Sequence, residues 1–272
     1  MTDPRTSADP ASNPAAEPVH GRRTLVLAAA GLLVIRTAPA QTAARPAPDY
    51  RALVAKGTRL SILTDRITRC QAQRALGVLV PRAERALADS VSEARSILAV
   101  LRQTSGPAPI PGLLASAEQA LTDLLKASDA LRPDDRAALG RLAVTADQAG
   151  EAVDQLVAAY VQSMGQPTAS VLQTTADLQR LTQHLAVHYL LAKAGVDPST
   201  QLKEVDNARR EFETRWQSLK QAPVRNARTE AAVPLIEGQW TFLRAALTQT
   251  GSDPAALQTT ATTSERTLEV LT

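Results

Sequence analysis

Two stretches decide the fold: Leu60-Ser61-Ile62-Leu63-Thr64-Asp65-Arg66-Ile67-Thr68-Arg69-Cys70 and Leu178-Gln179-Arg180-Leu181-Thr182-Gln183-His184-Leu185-Ala186-Val187-His188. In the first, Leu60, Leu63, Ile67 and Cys70 recur at intervals of three and four. In the second, Leu178, Leu181, Leu185 and His188 do the same. That spacing lines one face of an α-helix, and no stretch beyond Pro48 alternates apolar and polar residues as a half-buried strand would.

Working outward, breakers fall at Pro81, Gly106-Pro107, Pro133, Gly165 with Pro167, Gly195 with Pro198, Pro223, and Gly251 with Pro254. They divide the chain into expected helices over about 50–79, 82–104, 111–131, 134–163, 168–194, 199–221, 231–249 and 254–271. The fold class predicted is all-α. Eight helices with short connections suit two tandem up-down four-helix bundles.

The two stripes lie 118 residues apart, and that spacing persists along the chain. Leu63-Thr64 recurs as Leu181-Thr182, and Gly77-Val78 as Gly195-Val196. Leu87, Ala94, Leu98 and Leu101 map onto Val205, Phe212, Trp216 and Leu219. Asp135-Arg136-Ala137-Ala138-Leu139 maps onto Asp253-Pro254-Ala255-Ala256-Leu257, with each Asp placed as a helix N-cap. A period this long indicates a duplicated domain rather than a solenoid. The expected boundaries are 55–164 for the first copy and 168–272 for the second.

Composition narrows the function classes. The 30 basic and 27 acidic residues give a net charge of +3, and aromatic residues make up 3% of the chain. Nucleic-acid binding through a basic surface with stacking aromatics is not expected. A single cysteine, Cys70, forms no internal disulfide, and three histidines offer little for a metal centre. His184 and His188 have the i, i+4 spacing of a metal-binding pair. However, His188 occupies the stripe position of Cys70, which marks a core histidine, and no metal or cofactor is expected. With no nucleophile elbow, Gly-rich phosphate loop or paired-carboxylate motif, the chain does not read as an enzyme. Trp216 and Trp240 read as facing core residues.

Residues 1–40 read as an export signal. Gly21-Arg22-Arg23-Thr24 precedes an apolar run from Leu25 to Ile35, too short to span a bilayer, and Ala38-Pro39-Ala40 supplies a peptidase site. The long leader and paired arginines resemble a twin-arginine signal. Residues 41–54 read as a linker. The mature chain is expected in the periplasm, without membrane insertion or a signalling module of its own.

The stretches from Leu63-Thr64-Asp65-Arg66-Ile67 to Gly77 and from Leu181-Thr182-Gln183-His184-Leu185 to Gly195 resemble the first-helix signature of one sensor family. Phe212, Glu213, Trp216 and Leu219, then Trp240 and Leu243, are similar to its later helices. The family is the N-terminal domain of type IV pili methyl-accepting chemotaxis transducers, shared with nitrate/nitrite sensor kinases. The resemblance implies a periplasmic four-helix bundle that binds a small ligand and acts on a membrane receptor or a periplasmic protein partner. In nitrate-sensing members the signature's first Arg holds the anion. Here Ser61 and Gln179 take that place, and Arg66 matches the second Arg.

These readings converge on a sensory or ligand-binding protein. Its candidate site lies along the two first helices, at Arg59, Arg66, Arg180, Gln183 and His184. There the two faces would enclose a polar pocket of net positive potential for a small anion or carboxylate. The alternative is a structural or protein-interaction module that kept the fold without a ligand. For export, mature protein is expected to start at Gln41, and Arg22→Lys with Arg23→Lys to hold precursor inside the cell. Pulse-chase fractionation checks this, and unimpeded export of the double variant would refute the twin-arginine route.

Overall fold

The computed structural model describes residues 48–104, 106–164, 169–221, 227–249 and 253–271, with backbone alone for 169–173, 227–229, 231 and 232. The expected export signal of 1–40 lies outside the described residues, as do residues 41–47 of the expected linker; residues 50–54, expected in that linker, already belong to a helix. Eight α-helices run in chain order: α1 (Tyr50–Ala75), α2 (Val80–Leu101), α3 (Ile110–Ala130), α4 (Arg136–Met164), α5 (Ala169–Lys193), α6 (Pro198–Gln221), α7 (Ala227–Leu247) and α8 (Pro254–Leu271). No strand occurs among the described residues, and none of these helices is long and apolar enough to cross a membrane.

Local chemistry sets the ends. Asp49 accepts hydrogen bonds from the amides of Arg51 and Ala52 at the start of α1. Asp135 and Asp253 cap α4 and α8, accepting from Ala138 at 2.8 Å and Ala255 at 3.0 Å. Pro81 lies in the first turn of α2 rather than between helices, because a proline there surrenders no intrahelical bond. Helix α7 begins at Ala227, earlier than its expected start at 231, so Pro234 lies beyond its first turn.

The two helix hairpins 118 residues apart have the same backbone. Gly77 and Gly195 both take positive φ, +69° and +81°. Val78 N–H donates to the Gln73 carbonyl at 2.8 Å, as Val196 does to Leu191 at 3.0 Å. Gly77 N–H donates to Arg74, as Gly195 does to Ala192. This double closure is the left-handed glycine cap that ends a helix on two otherwise orphaned carbonyls. Leu79 and Asp197 follow in left-handed conformation, and α2 and α6 begin directly after them.

Helix α1 packs against α2, α4 and α5, while α5 packs against α1, α6 and α8; α3 lies on α4 and α7 on α8. The stripes bury as their spacing predicts, with Leu60, Leu63, Ile67, Cys70, Leu178 and Leu185 fully enclosed. Helix α1 approaches α4 so closely that a Cβ on Gly57 would stand 2.5 Å from the Val157 side chain. Trp240 stacks on Phe212 with ring centroids 4.2 Å apart, and Trp216 is buried on α6, one turn after Phe212.

The polar residues between the stripe positions are buried too. Ser61, Thr64, Asp65, Thr68, Arg69, Gln71 and Gln73 of α1, and Thr182 and Gln183 of α5, are all enclosed, as is the stripe residue His188. Most of the hydroxyls satisfy themselves on their own helix: Thr64 on Ser61, Thr68 on Thr64, Thr182 on Leu178. Longer side chains reach across. Gln71 donates to the Ser128 carbonyl on α3, and Gln183 to the Ser264 carbonyl on α8.

The heaviest of these crossings joins α1 to α8. Arg66 forms two parallel bonds to Glu265, at 3.0 and 2.9 Å, and Arg69 bonds the same carboxylate and the Ala261 carbonyl. The Arg69 side chain is 2% exposed and that of Glu265 10%. Burial works against the Glu265 anion, but the two guanidiniums outweigh it and hold its pKa below the usual range. Removing one member of such a cluster strands buried charge. Glu265→Ala is therefore expected to cost about 3–5 kcal/mol in urea unfolding; a loss below ~1 kcal/mol would show that water replaces the carboxylate.

Candidate functional site

A cleft opens where α1, α4, α5 and α6 meet. Along α4, Ala146, Gly150, Asp154 and Ala158 follow one another at intervals of four, so one row of the helix presents mainly small side chains to α1 and α5. The resulting cavity has a volume of about 530 Å³, within the usual span for small-molecule sites. A second cavity of about 400 Å³ shares Ser61, Asp154, Ala158 and Arg180 with it and extends toward Asp177.

The expected site residues do not gather in one pocket. Arg180 and His184 line the cleft. Arg59 turns the other way and makes a two-bond pair with Glu93 of α2, both at 2.7 Å. Arg66 faces α8, and Gln183 donates to α8 at 3.0 Å. Within the cleft Arg180 lies 4.0 Å from Asp154, and His184 Nδ1 lies 3.6 Å from Asp65 Oδ1. Each expected cation thus has a carboxylate partner inside the protein.

The expectation of net positive potential is corrected by the lining itself. Asp65, Asp147, Glu151, Asp154 and Glu204 face Arg180, His184 and His188 across the cavity, which leaves the cleft acidic. These acids escape a motif search because they come from three helices. On α4, Asp147, Glu151 and Asp154 read from sequence as an ordinary solvated face, at spacings of four and three.

The environment separates the titrating groups. Burial pushes Asp147 up to about 6 against the pull of His184, with Asp65 and Glu204 adding to the rise. Its outer side remains exposed to water at the rim. Burial also raises Asp154, opposed by Arg180. For His184, burial favours the neutral ring, but the Asp65 carboxylate overcomes this and raises its pKa. His188 is driven the other way, to about 4, by burial and by the neighbouring charge of His184, whose ring centroid is 4.1 Å away.

His188 is a stripe residue, as expected, and yet its ring borders the cleft. Its Nδ1 meets Gln201 Oε1 at 2.6 Å, and since that oxygen can only accept, Nδ1 carries the proton. Nε2 is then a lone-pair acceptor, buried and without a hydrogen-bond partner. Cys70, at the matching place in α1, is a buried thiol whose pKa is raised by burial. Among the described residues no group of His, Cys, Asp and Glu is arranged to hold a metal ion.

The lowered pKa of His188 has a consequence for stability. The unfolded chain takes up this proton near ~6.5, whereas the folded chain refuses it until about 4. The contribution is complete above the unfolded value and lost as pH falls toward 4. Between pH 7 and 4, His188→Gln should therefore lose on the order of 3 kcal/mol less than the wild type in paired urea titrations. Equal losses in both proteins would show that the imidazole is protonated in the fold.

Comparison with protein-family models, with curated proteins and with solved structures finds no match to this chain.

Proposed function

We propose that this chain is an exported, non-catalytic ligand-binding protein of the periplasm, built from two tandem four-helix bundles and acting through a partner protein. Recurrence supports the tandem reading. Helix pairs α1 and α5, α2 and α6, and α4 and α8 start or end at positions 118 residues apart, with the same glycine-capped hairpin in each half. The sensor-family resemblance of the first helices supports the same view.

The observation that carries the binding reading is the cleft. It takes lining residues from both halves of the chain, and occupancy there would bear on the seam between α1 and α5. A ligand held between two packed helices favours one relative position of those helices over another, which is how small shifts pass to a partner. The charge of the cleft points away from anions as ligands.

A second reading, an interaction module that binds a protein, is favoured by Leu235 and Phe242 on α7. They lie seven residues apart, 58% and 62% exposed.

The test is a thermal-shift panel on the purified chain, covering small anions, carboxylates, amines and neutral metabolites. A ligand at about 100 times its Kd is expected to raise Tm by roughly 5–10 °C. That rise should disappear when Gly150→Leu fills the cleft. No shift from any compound would favour the interaction module.

A further inference from the structure

Position 147 on α4 stands 118 residues before position 265 on α8, and these two carboxylates have opposite fates. Glu265 is met by two guanidiniums, Arg66 and Arg69, around a small cavity of about 130 Å³. At the positions 118 residues later, Arg66 and Arg69 are replaced by His184 and Val187. Asp147 accordingly has no hydrogen bond or ion pair to any described residue. Ala86, which lines the small cavity, corresponds to Glu204, so the cleft gains an acid where one guanidinium has given way to an imidazole and the other to a valine. Glu265 has two guanidiniums bonded to it, and Asp147 has none.

The second observation is His188. Its Nε2 accepts but meets no donor, although the side chain is only 4% exposed and lines the cleft. A buried acceptor without a donor is costly and is normally satisfied. A ligand that answers both features brings N–H groups and positive charge together.

We infer that the cleft binds a small aliphatic polycation with N–H donors, of the linear polyamine or agmatine type, held between the Asp147 and Glu204 carboxylates and His188 Nε2. This rests on the reading of the cleft as a binding site. Among the described residues no Trp, Tyr or Phe lines either cavity, so none of them forms the aromatic cage that selects quaternary ammonium. Carboxylates and an imidazole lone pair select instead for hydrogen-bond donors. The run from Asp147 to Asp154 along α4 spans roughly 10 Å of helix, about the reach of a linear molecule with two or three charges.

The experiment is calorimetry on the full chain with spermidine, agmatine, choline and magnesium ion, each at low and at physiological salt. Saturable binding of spermidine or agmatine at one site is expected, persisting at physiological salt, with choline at least tenfold weaker. Asp147→Asn combined with Glu204→Gln should weaken the amine at least tenfold, with circular dichroism and thermal melts confirming a folded variant. Asp147→Asn alone, at the solvent-facing rim, serves if the double variant does not fold. The inference is overturned if the amines bind no better than choline or magnesium, or if the carboxamide variants bind them unchanged. If the amines fail while another compound of the panel gives a shift abolished by Gly150→Leu, the polycation assignment falls and the binding reading stands. If nothing in either experiment binds, both fall.

Discussion

Helix α1 has neighbours on three sides, and the polar residues between its apolar positions must therefore find partners inside the protein. A helix at the edge of a bundle can leave such residues to water. Here α2, α4 and α5 all pack on α1, and α8 reaches it through Glu265. Short hydroxyls meet the demand by bonding back to their own helix. Gln71, Arg66 and Arg69 meet it by reaching carbonyls and a carboxylate on distant helices. Because unpaired buried charge is expensive, these crossings hold α1 in one register against α3 and α8.

The same demand is met incompletely on the other side of the α1–α5 seam. His184 pairs with Asp65 and Arg180 stands near Asp154, but the cleft still holds more acid than base. Small residues on α4 keep the space open, and burial then acts on whichever groups border it, raising Asp147 and lowering His188. The expected anion site and the observed cleft share two residues, Arg180 and His184. They differ in sign because the carboxylates opposite come from helices far away in sequence.

Differences between the two halves account for that asymmetry. Positions 118 residues apart keep the hairpin glycines and the leucine and isoleucine positions of the stripe, which packing requires of both halves. They differ at Arg66 and His184, Arg69 and Val187, Cys70 and His188, Ala86 and Glu204, and in each pair at least one member lines a cavity. Backbone closure and core volume tolerate little change, whereas a side chain facing a cavity can change charge with modest consequence for packing.

Local structure follows from the chain's own pattern. Three-and-four spacing specified helices, and Asp135 and Asp253 announced the caps they form; α1 ends at Ala75, short of the expected 79, because Gly77 closes it. The constant register disclosed the repetition, and Leu60, Leu63, Ile67 and Cys70 are buried as their spacing requires. The helical setting of Pro81 escaped, because a proline reads alike in a breaker and in a first turn. Which charges meet depends on how the helices pack. Arg66 finds Glu265 across 199 positions, and Asp65, Asp147 and Glu204 converge from three helices. Periodicity reports how a residue sits on its own helix; which helix lies opposite is settled by packing, and the sign of the cleft follows from that.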